Sequence, residues 1–255
     1  MHDMIKKIIE TNKADLEKRK SEVSVVVLQE QIFDLPKAQD FYGAFKNFGI
    51  IAEVKLASPS AGIIADKSQV LEIVQDYREG KADAISVITE KYFFKGDTNF
   101  IAQIKKQTGL PILQKDFVVD SYQILESRVS GADALLLIAK IIPVDKLKEF
   151  VDVCLEIGVE PVVEINDEED LTKALETKAR IIAVNARDLD TFEVDVEKAC
   201  ELIGKIPEKF LKLGFSGVNS REEVEKYQAA RVKGILVGTK LVKSESRKEF
   251  LEGLR

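Results

Sequence analysis

Short apolar runs alternate with longer amphipathic segments from residue 49 to the end of the chain. Segments such as Val144 to Ile157 and Glu193 to Ile203 have the apolar spacing of helices. Strands that alternate with helices predict right-handed βαβ units and a parallel sheet. The eight runs with strand character are GIIAEVK at 49–55, AISVI at 84–88, PILQK at 111–115, ALLLI at 134–138, PVVEI at 161–165, IIAVN at 181–185, a weaker FLKLGF at 210–215 and GILVG at 234–238.

Eight such units favour an α/β fold of the closed (β/α)8 type, the TIM barrel, over an open doubly wound sheet. No Gly-x-Gly-x-x-Gly sequence follows the first run, which also argues against a dinucleotide-binding fold. Residues 1–48 lie outside the repeat, and Met4 to Arg19 has helical apolar spacing. We therefore predict a single domain over residues 1–255, with a helical extension at 1–48 that packs on a barrel at 49–255.

Composition narrows the possible functions. The 38 Lys and Arg against 44 Asp and Glu give a net charge of −6, which argues against nucleic-acid binding. No signal peptide or membrane-spanning run is evident, so a cytoplasmic protein without membrane contact is expected. His2 is the one histidine, which argues against histidine catalysis and His-ligated metal. Cys154 and Cys200 fall in predicted helices without metal-ligand spacing and are expected to be free thiols.

Charged and polar residues close several of the apolar runs. Glu53 and Lys55 are two residues apart on one strand and so point to the same face. Lys115, Glu164 and Asn185 each lie at or near the end of a different run. Because the carboxyl ends of barrel strands meet at one end of the barrel, these side chains are expected to share a pocket. Two lysines and a glutamate suit general acid–base catalysis, and a Schiff-base lysine remains an alternative.

The last two strands are predicted to bind phosphate. Gly217 and Gly238 follow the seventh and eighth runs, and a hydroxyl residue, Ser216 or Thr239, lies beside each glycine. Glycine lets backbone N–H groups approach phosphate oxygens, and this end of many barrels binds phosphate. A phosphorylated small molecule is therefore the expected ligand.

Several longer segments form a specific combination, although each is short. They are IAEVK-x-ASPS at 51–60, TEKYFFKGD at 89–97, PILQKDFVVDSYQI at 111–124, GADALLLIA at 131–139, VVEINDEEDL at 162–171, IIAVNARDLDTFEVD at 181–195 and GILVGTKLV at 234–242. Together these segments resemble the indole-3-glycerol-phosphate synthase family of tryptophan biosynthesis. The leading helix IIETNKADLEKRK is also similar to the family, so the resemblance covers nearly the whole chain.

The resemblance implies a carbon–carbon lyase that uses neither cofactor nor metal. The family closes the indole ring of 1-(2-carboxyphenylamino)-1-deoxyribulose 5-phosphate with loss of CO2 and water. By resemblance, Lys115 activates the substrate carbonyl, and Glu164 with Lys55 serves the later dehydration, although which lysine serves which step stays open. A monomer is expected, with other tryptophan-pathway enzymes as possible partners. The resemblance further implies that Glu53, Asn185 and Arg187 orient the substrate and the lysines, that Phe94, Phe117 and Leu136 form an apolar wall, and that Ser58, Ser216, Gly217, Gly238 and Thr239 hold the phosphate.

Two positions depart from the family pattern. The family usually has Glu-Ser-Gly-Ile at the end of the seventh strand, whereas this chain has Phe215-Ser216-Gly217-Val218. We expect the change to be tolerated, at the cost of lower turnover or an altered pH profile. Leu56 stands where a second basic residue is common, which is a milder departure.

Alternative functions remain open from the sequence. One is another phosphate-binding barrel, such as phosphoribosylanthranilate isomerase, the tryptophan synthase α-subunit or a class I aldolase. Another is a non-catalytic barrel that binds the substrate, with Phe215 marking the lost activity. The lysines at two strand ends and the two glycines argue against this second alternative.

Overall fold

The computed structural model describes residues 2–255 and contains a closed barrel of eight parallel strands. Consecutive strands pair, and β1 pairs with β8 through Gly49 and Gly234 to close the barrel. The predicted TIM barrel is confirmed, and every predicted strand is correct to within one residue at either end. The barrel strands are β1 Gly49–Val54, β2 Ala84–Ile88, β3 Ile112–Lys115, β4 Ala134–Ile138, β5 Glu160–Ile165, β6 Ile181–Asn185, β7 Leu211–Phe215 and β8 Gly234–Val237.

Helices connect the strands and surround the barrel. A two-stranded hairpin of Ala57–Ser58 and Gly62–Ile63, which the sequence did not predict, follows β1. Short 3-10 helices cover Tyr42–Phe45 and Lys67–Gln69. The α-helices are α1 Asp3–Glu22, α2 Val25–Phe33, α3 Val70–Glu79, α4 Asn99–Thr108, α5 Ser121–Ser130, α6 Val144–Glu156, α7 Glu168–Leu175, α8 Val196–Lys205, α9 Arg221–Ala229, α10 Thr239–Val242 and α11 Arg247–Gly253.

The predicted start of α8 at Glu193 is wrong by three residues. Asp195 has extended backbone angles, and its carboxylate accepts a hydrogen bond from the Lys198 backbone N–H at 2.9 Å. This N-cap fixes the helix start at Val196. Val194 instead forms an antiparallel bridge with Arg187, which ties down the long loop after β6.

Alternate residues of each strand contribute to two separate cores. Ile51, Leu113 and Leu136 belong to the cluster that fills the barrel, whereas Ile50 and Leu135 belong to the cluster between barrel and helices. Because both faces are covered, the strands read as continuous apolar runs rather than as alternating patterns. A polar side chain within such a run is therefore buried and needs a partner.

The N-terminal helix lies against the end of the barrel where the strands terminate. Ile5, Ile8 and Ile9 belong to the barrel-filling cluster, which also includes Phe117 and Phe215. Further along α1, the carboxylate of Asp15 accepts a hydrogen bond from the Tyr92 hydroxyl in the loop after β2. Lys20 pairs with Asp120 at the start of α5 at 2.7 Å. Helix α1 therefore contacts the loops that follow β2 and β3.

Both cysteines are free and lie in helices, as predicted. Cys154 in α6 is buried and Cys200 in α8 is partly buried. Within residues 2–255, no helix combines the length and apolar character needed to cross a bilayer. The same residues contain no group of three or more His, Cys, Asp or Glu side chains arranged to hold a metal ion.

Asp170→Asn is expected to stabilise the protein by about 1–2 kcal/mol at pH 8. Asp170 in α7 is 2% exposed and accepts a hydrogen bond from the Asn166 backbone N–H. Burial raises the pKa of Asp170 from 3.8 to about 6, so the folded protein favours the neutral acid. The contribution of Asp170 to wild-type stability therefore falls as the pH rises from about 4 to about 6, because the Asp170 carboxyl binds more protons in the folded state than in the unfolded state there.

Asparagine stays neutral at every pH and keeps an oxygen that can accept from Asn166. Denaturant unfolding of both proteins at pH 4, 6 and 8 measures the effect. The difference in free energy of unfolding should be smallest at pH 4 and largest at pH 8. A variant that is equally destabilised at all three pH values would contradict the argument.

Candidate active site

The end of β1 carries an ion pair between Glu53 and Lys55. The Lys55 Nζ lies 2.6 Å from Glu53 Oε2, and the Glu53 side chain is 2% exposed. The Tyr77 hydroxyl of α3 donates to the Glu53 carbonyl at 2.9 Å and anchors the strand there. A carboxylate this deeply buried needs its cation, because the desolvation penalty of an unpaired charge is several kcal/mol.

Gly238 leaves the room that this ion pair occupies. A Cβ atom built at Gly238 would lie 2.3 Å from Glu53 Oε2 and 3.4 Å from Lys55 Nζ. Any side chain at position 238 would therefore displace the carboxylate. The absence of a side chain directly after β8 thus controls the geometry of a charged pair at the end of β1, the neighbouring strand in the barrel.

A second lysine–glutamate pair joins β3 and β5. Lys115 Nζ lies 3.7 Å from Glu164 Oε2, and the Glu164 side chain is 1% exposed. Asn185 on β6 donates from Nδ2 to the other carboxylate oxygen, Oε1, at 3.0 Å. Oε2 makes no hydrogen bond to the described residues, so one buried carboxylate oxygen and one ammonium face each other beyond hydrogen-bond distance. This arrangement leaves room for a reacting group to contact both.

Asn185 links this pair to the ends of β6 and β7. Its Oδ1 accepts hydrogen bonds from the Ser216 hydroxyl at 2.7 Å and from the Arg187 backbone N–H at 3.0 Å. The Arg187 guanidinium donates to the carbonyl of Phe192 at 2.8 Å. Ser216 has a φ of 69°, a left-handed conformation that is uncommon for a residue with a Cβ. Asn185 is therefore oriented from three sides.

Aromatic side chains line one side of the lysine at β3. The rings of Phe94 and Phe117 lie 6.2 Å apart, and the Lys115 Nζ lies 6.0 Å from the ring centre of Phe215. Phe215 and Leu136 are fully buried within the barrel-filling cluster. An ammonium near an aromatic face is stabilised by the ring quadrupole, and the apolar surroundings exclude water.

The predicted phosphate residues have separate local environments. The Ser58 hydroxyl accepts from the Ala61 backbone N–H at 3.1 Å, within the hairpin after β1. Gly217 has a φ of 78°, and a Cβ there would lie 2.4 Å from Val196. Thr239 begins the short helix α10. No direct contact between Ser58, Gly217 and Thr239 appears among the hydrogen bonds of the described residues, so their joint action on phosphate stays a prediction.

Known proteins resemble this chain over nearly its whole length. A family model described as indole-3-glycerol phosphate synthase matches residues 5–254. A protein of that name from Acetivibrio thermocellus is 40% identical over 251 residues, which cover 96% of both chains. One from Caldanaerobacter subterraneus subsp. tengcongensis is 44% identical over 223 residues, covering 84% of this chain and 87% of the relative. The chain belongs to the indole-3-glycerol phosphate synthase family.

Family membership confirms the predicted activity. The chain is an enzyme of tryptophan biosynthesis, a lyase that acts on a phosphorylated small molecule. The alternatives of a different phosphate-binding barrel and of a non-catalytic barrel are thereby set aside. The resemblance inferred from short motifs is confirmed across almost the entire length of the chain.

Solved structures with low sequence identity agree on the fold alone. A 3-hexulose-6-phosphate synthase gives a TM-score of 0.66 at 15% identity, over 81% of this chain and 98% of that chain. A structure of the tryptophan synthase complex from Pyrococcus furiosus gives 0.63 at 19% identity, over 82% and 98%. Each comparison leaves about a fifth of this chain uncovered.

Two polar residues near the strand ends, the buried Glu90 and the half-buried Asn166, are not among the predicted site residues. The Glu90 carboxylate accepts three backbone N–H groups, from Tyr92, Phe93 and Phe94, at 2.7–3.0 Å. The Asn166 side chain donates to the carbonyls of Asn185 and Arg187, both at 2.9 Å. Asn166 directly follows β5 and Glu90 lies two residues after the end of β2, and this position near a strand end was the available signal. Their role is to hold loop backbone, and that depends on conformations the sequence pattern does not specify.

A cleft of about 660 Å³ lies beside Gly217 but is not the candidate site. Among the described residues, its walls carry the carboxylates of Glu193, Asp195, Glu197 and Glu223 and a single cation, Lys226. This charge does not suit a phosphate. The lysine–glutamate pairs do not line this cleft.

Proposed function

We propose that the two lysine–glutamate pairs divide the family's reaction between them. Lys115 protonates the ribulose carbonyl oxygen while the new carbon–carbon bond forms and the carboxylate leaves as CO2. Glu164 and Lys55 then remove a proton from the carbon next to the nitrogen and protonate the departing hydroxyl. The observation that carries the proposal is the 3.7 Å separation of Lys115 Nζ and Glu164 Oε2 in a buried site.

The physical environment supports acid–base catalysis by these groups. The reaction consumes a carboxylate and expels water, so fixed cationic donors in a dry pocket stabilise the developing charges. Glu53 holds Lys55 at 2.6 Å, and Asn185 holds Glu164 at 3.0 Å. Both catalytic side chains are thus oriented before substrate arrives, which reduces the reorganisation needed during the reaction.

The remaining predicted residues would bind the two ends of the substrate. The guanidinium of Arg187, which donates to the Phe192 carbonyl, would offer a cation for the substrate carboxylate. Phe94, Phe117 and Leu136 would supply an apolar wall for the anthranilate ring. The phosphate would be held by the residues at the opposite side of the substrate. We assign that role to Ser58, Ser216, Gly217, Gly238 and Thr239. Binding energy from a phosphate remote from the reacting carbons helps fold the flexible ribulose chain.

The proposed division can be tested by following the two products separately. In Lys55→Ala, CO2 release should continue at a rate within about tenfold of the parent, while the fluorescence of indole-3-glycerol phosphate should fall by about 10²-fold. The reason is that ring closure depends on Lys115, whereas the dehydration loses its partner. Single-turnover experiments with substrate carrying a labelled carboxylate measure CO2, and fluorescence measures the indole.

A Lys140→Ala variant serves as the control for these measurements. Lys140 follows β4 at the same end of the barrel and pairs with Asp190 at 2.8 Å, outside both catalytic pairs. It should retain both activities. If Lys55→Ala lost CO2 release and fluorescence together, the assignment of Lys55 to the second step would be wrong. An inactive parent would contradict the proposed function itself.

We also propose that the enzyme works as a cytoplasmic monomer. The absence of a membrane-spanning helix in the described residues and the free thiols agree with that location. Sedimentation of the purified chain, alone and with other enzymes of tryptophan biosynthesis, tests both the monomer and the possibility of partners.

A further inference from the structure

Three polar side chains lie behind Lys115, on the outer side of the barrel wall. Gln114 precedes Lys115 on β3, so the two side chains point to opposite faces of the strand. Thr89 follows β2, the neighbouring strand, and Asp116 follows Lys115. Gln114, Thr89 and Asp116 form a connected set, which we call the outer triad. None of the three has a role in the catalytic assignment above.

Hydrogen bonds run through the outer triad in one direction. Gln114 Nε2 donates to Thr89 Oγ1 at 3.0 Å, and the Thr89 hydroxyl donates to Asp116 Oδ2 at 2.6 Å. The other carboxylate oxygen of Asp116 accepts from the Phe117 backbone N–H at 2.7 Å. Because a hydroxyl has a single hydrogen, the amide donor on one side directs that hydrogen to the carboxylate on the other. Thr89 is thus the central member of the triad.

Thr89 also holds the backbone of Lys115 directly. Its backbone N–H donates to the Lys115 carbonyl at 3.0 Å, which extends the pairing of β2 with β3 beyond Ile88. Thr89 therefore contacts the Lys115 carbonyl through its main chain, and its hydroxyl contacts the side chains of the two residues that flank Lys115, Gln114 and Asp116. Lys115 stands at the last position of β3, where a strand would otherwise fray into its loop.

The environment of Asp116 strengthens these contacts. Burial raises the pKa of Asp116 to about 6, while the bond from Thr89 and the bond from the Phe117 N–H act in the opposite direction. Among charged groups that face it, Glu90 raises the pKa and Arg19 of α1 lowers it. At pH 7 to 8 the carboxylate is ionised, and its bond with the Thr89 hydroxyl is a charge-assisted one at short distance. Loss of that hydroxyl would leave a poorly solvated carboxylate short of a donor.

We propose that Thr89 and Asp116 are positioning residues for Lys115. They fix the end of β3 so that the ammonium stays opposite Glu164 and close to the Phe215 ring. The inference rests on the proposed role of Lys115 as the acid of ring closure. An acid displaced by a fraction of an ångström loses much of its effect, because proton transfer requires the donor within hydrogen-bond reach.

Thr89→Val tests the proposal, because valine has nearly the shape of threonine but no hydroxyl. Its kcat for CO2 release should fall by about tenfold or more, with the KM within about twofold of the parent. Thr89→Ser keeps the hydroxyl and should restore kcat to within about threefold. The matched control is Thr108→Val at the end of α4, where a buried hydroxyl donates to the Ile104 carbonyl at 2.8 Å. Thermal unfolding of all three variants measures their stability.

The control separates positioning from stability. Thr108→Val should lower the melting temperature and leave kcat unchanged, so a loss of kcat confined to Thr89→Val supports the proposal. Unchanged kcat in Thr89→Val, or a loss that Thr89→Ser does not restore, would overturn it while the parent remains active. A parent without turnover would instead refute the proposed function. If Thr89→Val does not fold, Asp116→Asn takes its place, with the same expected loss of kcat.

Discussion

Lys115→Ala is expected to lose CO2 release and indole formation together, with kcat reduced by about 10³-fold or more. Among the ion pairs of residues 2–255, the Lys115 ammonium is the one cation paired with Glu164, at 3.7 Å, and it lies 6.0 Å from the ring centre of Phe215. Without it, no fixed acid among these groups faces the carbonyl during ring closure. Because ring closure precedes every later step, neither product should appear. The measurement is the release of labelled CO2 beside the fluorescence of indole-3-glycerol phosphate.

The comparison with other variants identifies what Lys115 does. Lys140→Ala removes a lysine from the same end of the barrel and should leave both signals near those of the parent. Substrate binding to Lys115→Ala, measured by calorimetry, should survive, because the predicted phosphate residues lie on other strands. Lys115→Arg keeps the charge but not the shape and should recover little, since arginine is a far weaker acid and fills more of the pocket. Normal CO2 release from Lys115→Ala would refute its assignment as the acid.

The fold was predictable from the sequence because its strands are buried on both faces. Each strand is a continuous apolar run, and that signal is local, so β1 to β8 could be placed to within one residue. The start of α8 could not be placed as closely, because it depends on the N-cap residue Asp195 and on a bridge between Val194 and Arg187. The hairpin after β1 was missed for a similar reason. Two-residue strands carry almost no periodicity.

The sequence allowed the residues of the candidate site to be predicted, but not all of the contacts between them. Strand ends meet at one end of any such barrel, which is enough to gather Lys55, Lys115, Glu164 and Asn185. The alternation of side chains also gave the pairing of Glu53 with Lys55. The pairing of Lys115 with Glu164 depends on how close the ends of β3 and β5 lie in the folded barrel. The close approach of Gly238 to Glu53 depends on the pairing of β1 with β8, which closes the barrel. Neither is encoded by spacing along the chain.

Phe215, the residue at the end of β7 that departs from the family pattern, lies beside the predicted catalytic lysine Lys115. Phe215 is buried in the barrel-filling cluster, and its ring also lies 6.0 Å from the ammonium of Lys115. It brings no charge, so Glu164 is the one carboxylate in contact with that lysine among the described ion pairs. A glutamate at position 215 would compete with Glu164 for the same ammonium. The lower turnover or altered pH profile expected from phenylalanine at position 215 stays a prediction, and its physical cause would be the missing second carboxylate beside Lys115.

Glu164→Gln is expected to separate the two products. Glutamine has the shape of glutamate and keeps an oxygen that can accept from Asn185 Nδ2, a bond of 3.0 Å in the parent. It has no charge and is not a useful base, so the dehydration should slow by about 10²- to 10³-fold. Ring closure by Lys115 should proceed, and CO2 should therefore be released without a matching rise in fluorescence.

Mass spectrometry of the quenched reaction gives an independent readout for Glu164→Gln. The species that accumulates should be lighter than the substrate by CO2 and still retain the elements of water. Glu164→Asp is the matched variant, because it keeps the carboxylate and shortens the side chain by one carbon. It should recover part of the fluorescence if charge and basicity matter, and none if only the shape of the side chain does. Loss of CO2 release in Glu164→Gln would instead show that the carboxylate acts earlier, by holding Lys115 in its charged and oriented form.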